Sequence, residues 1–318
     1  MDFKFKKPSN ETQIAMSKSA LGDSTNYSQG AIEKILNLTK HDFGKLVNSG
    51  NSAILIALSY FDGNVILPDQ GGWNGFKQIS RYLNKDFILT KTNQGLIDIE
   101  SLRESIKKLD KTKNNCLLIT SFAAYTAEQD IKTISEVCHE NDVYLIEDVS
   151  GSIGDCKLAC GNYSDIIISS TGSPKIVNVG NGGFISTNIN EIFNEKALIN
   201  SAKCDNITSC GIFYEIDNAK TILSKTINAC SYLKENLDDV VHSQKRGINV
   251  IVKSNNPKDL AWNIKNEINL EGRSMITNCP NYNRIKEKAI AIEIKNLNVD
   301  CLTKYNMDGI IDLVKKYQ

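Results

Sequence analysis

Residues 164–188 read Ser-Asp-Ile-Ile-Ile-Ser-Ser-Thr-Gly-Ser-Pro-Lys-Ile-Val-Asn-Val-Gly-Asn-Gly-Gly-Phe-Ile-Ser-Thr-Asn. The stretch opens as a buried strand, Asp165 to Ser169, and closes on a second apolar strand, Gly183 to Ser186. Between them lies a run of hydroxyls and glycines that carries one lysine, Lys175, and ends in Gly180-Asn181-Gly182-Gly183. Partial burial at a sheet edge lowers a lysine's pKa and leaves some of it as free amine. Such an amine forms a Schiff base with an aldehyde. An ordinary surface lysine in a glycine-rich turn fits the same residues, so the loop alone does not decide.

The totals narrow the field. The chain has 318 residues, 41% of them hydrophobic, enough for one large domain and a smaller one. Lys+Arg 37 against Asp+Glu 37 gives zero formal charge, so no basic field recommends nucleic acid. The apolar runs are strand-length and too short to span a bilayer. The charged start Met1 to Pro8 leads into no apolar signal core, and a cytoplasmic location is expected. The nine cysteines are odd in number and scattered, which argues for reduced, mostly buried thiols. Cys156-x3-Cys160 has no second close pair at zinc-ligand spacing, and the three histidines lie far apart, so no metal site is expected.

Working outward from Lys175, strands and helices alternate. Phe43 to Val47 reads as a strand, followed by a Ser-Gly-Asn-Ser turn and a helix at once. Small residues opening a helix leave backbone N–H groups free for a phosphate. Capping of that helix by Asn51 or Ser52 is the plainer reading. Val65 to Pro68 is a strand followed by Asp69-Gln70-Gly71-Gly72-Trp73, where the indole either stacks on a flat ligand or fills the core. Asp86 to Leu89, Asn115 to Thr120 and Asp142 to Asp148 are further strands, with helices in Ile97–Leu109 and Tyr125–His139. This alternation predicts a mainly parallel sheet covered by helices, with ligands at the carboxyl ends of its strands. Asp148 ends one such strand and precedes a small-residue turn, Val149 to Gly154, open to close approach by a ligand. After Asn188 the reading is helix at Glu191–Ser201 and Asn218–Leu237, strand at Gly247–Lys253, helix at Pro257–Leu270, strands at Arg273–Thr277 and Lys288–Ile294, and helix from Met307 to Tyr317. Domain limits follow: a polar arm at 1–30, a large domain at 31–238 and a small C-terminal α+β domain at 239–318.

In this order and spacing the residues resemble the DegT-type (DnrJ/StrS-like) sugar aminotransferases. These belong to the fold-type I enzymes, which use pyridoxal 5′-phosphate (PLP). The resemblance runs from about residue 20 to about residue 190. It rests on Asn48 to Ala53, Val65 to Pro68, Tyr125 with Asp130, Ile146-Glu147-Asp148 with Gly154, Ser164-Asp165-Ile166, Ser170, Lys175 and Gly182-Gly183. It implies an α/β fold of the PLP-transferase type, with a mainly parallel central sheet flanked by helices. Lys175 would hold PLP as a Schiff base and move protons at the substrate carbon. Asp148 would pair with the pyridine nitrogen and keep it protonated. Gly50, Asn51, Ser52 and Ser170 would bind the phosphate, and Trp73 would stack on the ring.

The implied reaction moves an amino group from an amino acid donor to a nucleotide-linked keto sugar, of the kind used in cell-wall or polysaccharide biosynthesis. A homodimer is implied. Some residues depart from the family pattern. Gly151 stands where Gln or His is directed at the ring's 3-hydroxyl, and Ala123 where histidine is common. The Gly-Tyr-Asn-x-Arg-Met stretch is not recognisable near Gly211 to Tyr214, and the chain is shorter than typical members after residue 190. Alternatives are a PLP-dependent lyase, a cysteine desulfurase using Cys279 in its Thr-Asn-Cys-Pro loop, or a non-catalytic protein of the same fold. Gly180-x-Gly182-Gly183 leads into a strand and not a helix, which sets aside a dinucleotide-binding loop. For a substrate carboxylate the candidates are Arg273, Arg284 and Lys288.

Overall fold

The computed structural model describes residues 1–318. Seven strands form the central sheet: β1 (Phe43–Val47), β2 (Val65–Pro68), β3 (Phe87–Thr90), β4 (Asn115–Thr120), β5 (Val143–Asp148), β6 (Ile166–Ser170) and β7 (Gly183–Thr187). Their order is β1-β7-β6-β5-β4-β2-β3. Strands β3, β2, β4, β5 and β6 pair in parallel. β2 and β4 are buried at every residue, as expected for parallel strands covered on both faces. β7 is antiparallel to both β6 and β1. The reason lies in the Lys175 loop. It joins β6 to β7 without a crossover helix, and only antiparallel neighbours can be joined so directly.

Helices α1 (Asn10–Ala20), α2 (Tyr27–Thr39) and α3 (Gly50–Tyr60) come first, with α4 (Asn74–Tyr82), α5 (Ile99–Ile106) and α6 (Ile131–His139) between the parallel strands. α3 packs across β6 and β7, which brings its first turn beside the end of β6. The apolar cores on the sheet's two faces are separate clusters, one holding Ile119, Leu145 and Ile167, the other Leu118, Ile146 and Ile168. That split follows the two-residue period of the strands.

Beyond β7 come α7 (Lys196–Ser201), α8 (Asn206–Glu215) and the long α9 (Ala219–Asn236). A three-stranded antiparallel sheet of β8 (Val250–Lys253), β9 (Ile276–Cys279) and β10 (Ala289–Ile292) follows, in the order β8-β10-β9, with α10 (Pro257–Glu267) and α11 (Lys304–Tyr317). β9 starts three residues later than the sequence suggests, because Leu270 to Arg273 forms a turn with Gly272 at φ +75°. No helix is long and apolar enough to cross a membrane.

Residues 1–30 differ from the polar arm expected of them. Asn10–Ala20 is helical and packs on α8. Its buried residues are Thr12 and Ser19, so it carries no apolar stripe to read. Thr12 Oγ1 instead donates to Glu215 Oε2 at 2.7 Å. Ahead of it, Phe3 and Phe5 are buried in the same cluster as Val250, Ile290 and Ile310 of the C-terminal sheet and helix. Burial of each phenylalanine contributes about 1.5–3 kcal/mol.

Candidate active site

A cavity of about 390 Å³ opens at the carboxyl ends of β5 and β6. Lys175, Asp148, Gly50, Asn51, Trp73 and Ser170 all line it. Among the residues expected to hold the cofactor, Ser52 alone is absent from the lining.

Asp148 is there because of strand alternation. β5 ends in two carboxylates, and successive side chains point to opposite faces. Glu147 turns into the protein, where it accepts from Ser121 Oγ at 2.7 Å and Ser164 Oγ at 2.6 Å, and burial pushes its pKa up. Asp148 turns to the cavity and is 9% exposed. Its Oδ1 accepts the Ser150 backbone N–H at 2.9 Å. The turn after it does less for a ligand than the sequence suggested. Gly154, at φ +92°, is pressed on the start of α9, with Lys220 N 2.8 Å from where its Cβ would stand. Only Ser150 of that turn lines the cavity.

The α3 terminus supplies the second element. Ser49 is its N-cap and accepts the Ser52 N–H at 3.1 Å, so neither Asn51 nor Ser52 does the capping. The Ser52 hydroxyl donates to Asn48 Oδ1 at 2.6 Å, which directs it away from the cavity. A Cβ at Gly50 would stand 2.6 Å from Ser170 Cβ, so glycine is what lets the helix start close on the end of β6. Trp73 is 41% exposed, so it is no core filler, and its Nε1 donates to Asn51 Oδ1 at 3.1 Å.

Lys175 is partly buried, and its Nζ donates to the Tyr125 hydroxyl at 2.6 Å. The lowered pKa expected of it is not what the site produces. Burial does press downward, but Tyr125 and Asp148 stabilise the ammonium, and the balance is upward. The amine rests protonated before any ligand neutralises its partners.

The opposite wall comes from the C-terminal region. Asn283, Arg284 and Lys295 line the cavity, whereas Arg273 lies over the Phe5 ring and Lys288 is exposed away from it. Arg284 Nε donates to Glu293 Oε1 at 2.8 Å, with Nη2 2.6 Å from the same oxygen. Lys295 Nζ is 3.0 Å from Glu293 Oε2, and Asn249 Nδ2 donates to that oxygen at 2.5 Å. All three charged residues are under 9% exposed. Despite burial, the two cations hold the Glu293 carboxyl down at about 2. Burial lowers Lys295 to about 8 despite Glu293, because Arg284 shares that carboxylate and Lys175 adds repulsion. Sequence reading missed Tyr125 as a site residue and missed Lys295 and Glu293 altogether. A signal existed: Glu293-Ile294-Lys295 ends an apolar strand with two opposite charges two residues apart.

Cys279 does not suit a desulfurase. It is buried at the end of β9, and burial pushes its thiol up, away from the thiolate that sulfur chemistry needs.

These residues fit PLP. An amine for its aldehyde, a carboxylate for its ring nitrogen and a glycine-opened helix terminus for its phosphate face one cavity of suitable size.

Comparison with known proteins agrees. The model of the DegT/DnrJ/EryC1/StrS aminotransferase family matches residues 11–216, and that of the MJ1341 family C-terminal domain matches residues 220–315. No curated protein matches the chain. Among solved structures, the fold is shared with Helicobacter pylori PseC, an aminotransferase involved in the biosynthesis of pseudoaminic acid. That match has 13% identity over 100% of this chain and 99% of PseC, with a TM-score of 0.78. A DegT DnrJ EryC1 StrS aminotransferase from Brucella abortus matches at 13% identity over 97% of this chain and 95% of its own, with a TM-score of 0.76. A NifS-like protein from Rickettsia africae matches at 12% identity over 100% and 99%, with a TM-score of 0.73. At such identities these likenesses speak for the fold, while the family model covers more than half of the chain. The chain belongs to the DegT/DnrJ/EryC1/StrS aminotransferase family and is a PLP-dependent aminotransferase.

Proposed function

We propose that the chain transfers the amino group of an amino acid to a keto sugar carried on a nucleotide. Lys175 holds the cofactor covalently and moves the proton at the substrate carbon. Asp148 pairs with the ring nitrogen, Gly50, Asn51 and Ser170 receive the phosphate, Ser52 supports that turn from behind, and Trp73 covers the ring. When bound, PLP supplies an electron sink for the carbanion left by proton removal.

The observation that carries this reading is the cationic wall facing Lys175. Arg284 has five N–H donors. Nε and Nη2 face Glu293, and Nη1 donates to the Asn283 carbonyl at 2.6 Å, so this cavity-lining side chain keeps one further N–H on each terminal nitrogen. That is the complement of an α-carboxylate or of another anionic group on a substrate. Lys295 adds a second cation, and Glu293 keeps both in place.

The sugar acceptor and its nucleotide rest on family membership, with a role in cell-wall or polysaccharide precursors as their context. The homodimer, the cytoplasmic location and the division at 31–238 and 239–318 belong to the same proposal. Supporting the division, β8, β9 and β10 form a sheet of their own.

The test is half-transamination. PLP-loaded protein is offered a panel of amino acids, and the keto acid released is measured. Glutamate or glutamine should convert the cofactor to its amine form, and Lys175→Ala should abolish both the conversion and the visible absorbance of lysine-bound PLP. The amine-loaded protein is then offered nucleotide-linked keto sugars and free keto sugars. Turnover of free keto acids alone would overturn the sugar assignment.

A further inference from the structure

The position three residues past Asp148 is Gly151, and no side chain from it reaches the cavity. A Cβ built there would stand 3.0 Å from Tyr125 Cδ1 and Cε1 and 3.0 Å from Ile248 Cδ1. The phenol ring of Tyr125 therefore takes the space that a residue-151 side chain would need. Its backbone is held in an uncommon conformation to do so: Ala124 and Tyr125 have φ of 54° and 61°. Two consecutive left-handed residues with side chains are strained, and such strain persists only where the surroundings fix it. Here Ala124 N–H donates to the Gly71 carbonyl at 2.8 Å, and the Tyr125 carbonyl accepts from Ile248 and Asn249 N–H at 2.8 and 2.9 Å. The ring is thus clamped between the large sheet and the C-terminal region, with its hydroxyl 2.6 Å from Lys175 Nζ.

We propose that Tyr125 is the positioning residue of Lys175: its hydroxyl fixes and stabilises the lysine's charged amine from the place that Gly151 leaves open. This rests on the reading of Lys175 as the cofactor lysine, which it deepens. The charged and titratable groups around that amine are Tyr125 and Asp148, which favour its proton, and Arg284 and Lys295, which oppose it. Arg284 and Lys295 also lie 5.1 Å each from the Tyr125 ring centroid, so the ring is within cation–π reach of all three cations. Until a carbonyl arrives the tyrosine keeps the lysine charged and aimed at one place. To react, the ammonium first gives its proton to solvent, and the neutral amine then condenses with the carbonyl and releases one water. Once the amine is taken up, the hydroxyl is released for another partner in the cavity.

The test uses the full chain without cofactor, so its readout is independent of turnover. Lys175 is labelled with acetic anhydride across a pH series and quantified in its peptide by mass spectrometry. Tyr125→Phe keeps the ring packing on Gly151 and Ile248 and removes only the oxygen, so thermal unfolding should stay close to wild type. The midpoint of Lys175 labelling should fall by about one pH unit as the ammonium loses its acceptor. Gly151→Ala displaces the ring and should shift the midpoint the same way by less. It also carries the test should Tyr125→Phe not fold. Unchanged midpoints in the folded variants would overturn the proposal. The PLP-loaded proteins are titrated in parallel by visible absorbance. A wild type that never gains the absorbance of lysine-bound PLP would sink the cofactor reading while leaving the labelling result to stand on its own.

Discussion

One wall of the cavity is made of strand ends and turns between Ser49 and Lys175, and the other of a buried charge network between Asn249 and Lys295. The first wall is set by local chemistry. Strand alternation aims Asp148, the Ser49 cap and Gly50 shape the start of α3, and a direct antiparallel return places the Lys175 loop. The second wall depends on long-range ion pairing. Arg284 and Lys295 share one counter-charge, Glu293, which lies between them on the chain and is buried with them. A wall built from local rules tolerates change in its neighbour, whereas a wall built from one shared carboxylate fails as a unit. The two walls also fall under different family models, the first within the aminotransferase match at 11–216 and the second within the MJ1341 C-terminal domain match at 220–315.

The largest effect that separates the walls comes from Glu293→Gln. It leaves two buried cations without their counter-charge, and such breaks cost about 3 kcal/mol or more. The melting temperature should drop, and donor binding should fall with it. The pH dependence gives the sign. Glu293 is held at about 2 against an ordinary 4.5, so its stabilisation is present above pH 4.5 and is lost as pH falls through about 2. Integrated, that is about 3 kcal/mol. Acid unfolding of the wild type should steepen in this window, and the glutamine variant should lack that part of the dependence. A variant as stable as wild type would break the comparison.

Arg284→Lys is the next largest. It keeps the charge and discards the fork, so the KM for the amino donor should rise about thirtyfold while kcat changes little. The visible absorbance of lysine-bound PLP should be untouched, because that belongs to the other wall. A large fall in absorbance would show the walls to be coupled.

A smaller effect needs no mutation. Lys295 gives up its proton as pH rises through about 8, so the donor KM should climb by about tenfold above that pH, and Lys295→Met should flatten the climb. The smallest concerns the rim. Trp73→Phe removes one hydrogen bond to Asn51 and keeps a ring, so PLP affinity should fall about twofold.

The same contrast explains what was legible in the sequence. The parallel strands were, because Val65 to Pro68 and Cys116 to Ile119 are continuous apolar runs. Lys175 and Asp148 were, because each stands at a strand end within the ordered set of residues that carries the family resemblance. α1 was not, since its buried side chains are a threonine and a serine, and neither was the burial of Phe3 and Phe5, whose partners lie near the far end of the chain. The state of Lys175 was misjudged for a physical reason: burial was visible in the pattern, but the phenol and carboxylate that together outweigh it, Tyr125 and Asp148, come from other strand ends of the fold. Arg284 stood beside Arg273 and Lys288 as one of three candidates, and only its place in the cavity wall, paired with Glu293, separates it from them.

The most direct test of the central claim is borohydride reduction of the PLP-loaded protein followed by peptide mass spectrometry. The cavity holds two amines, Lys175 and Lys295, and the second has the lower pKa. Reduction should fix one pyridoxyl group per chain on Lys175, with none on Lys295. A pyridoxyl group on Lys295, or none on either lysine, would contradict the account.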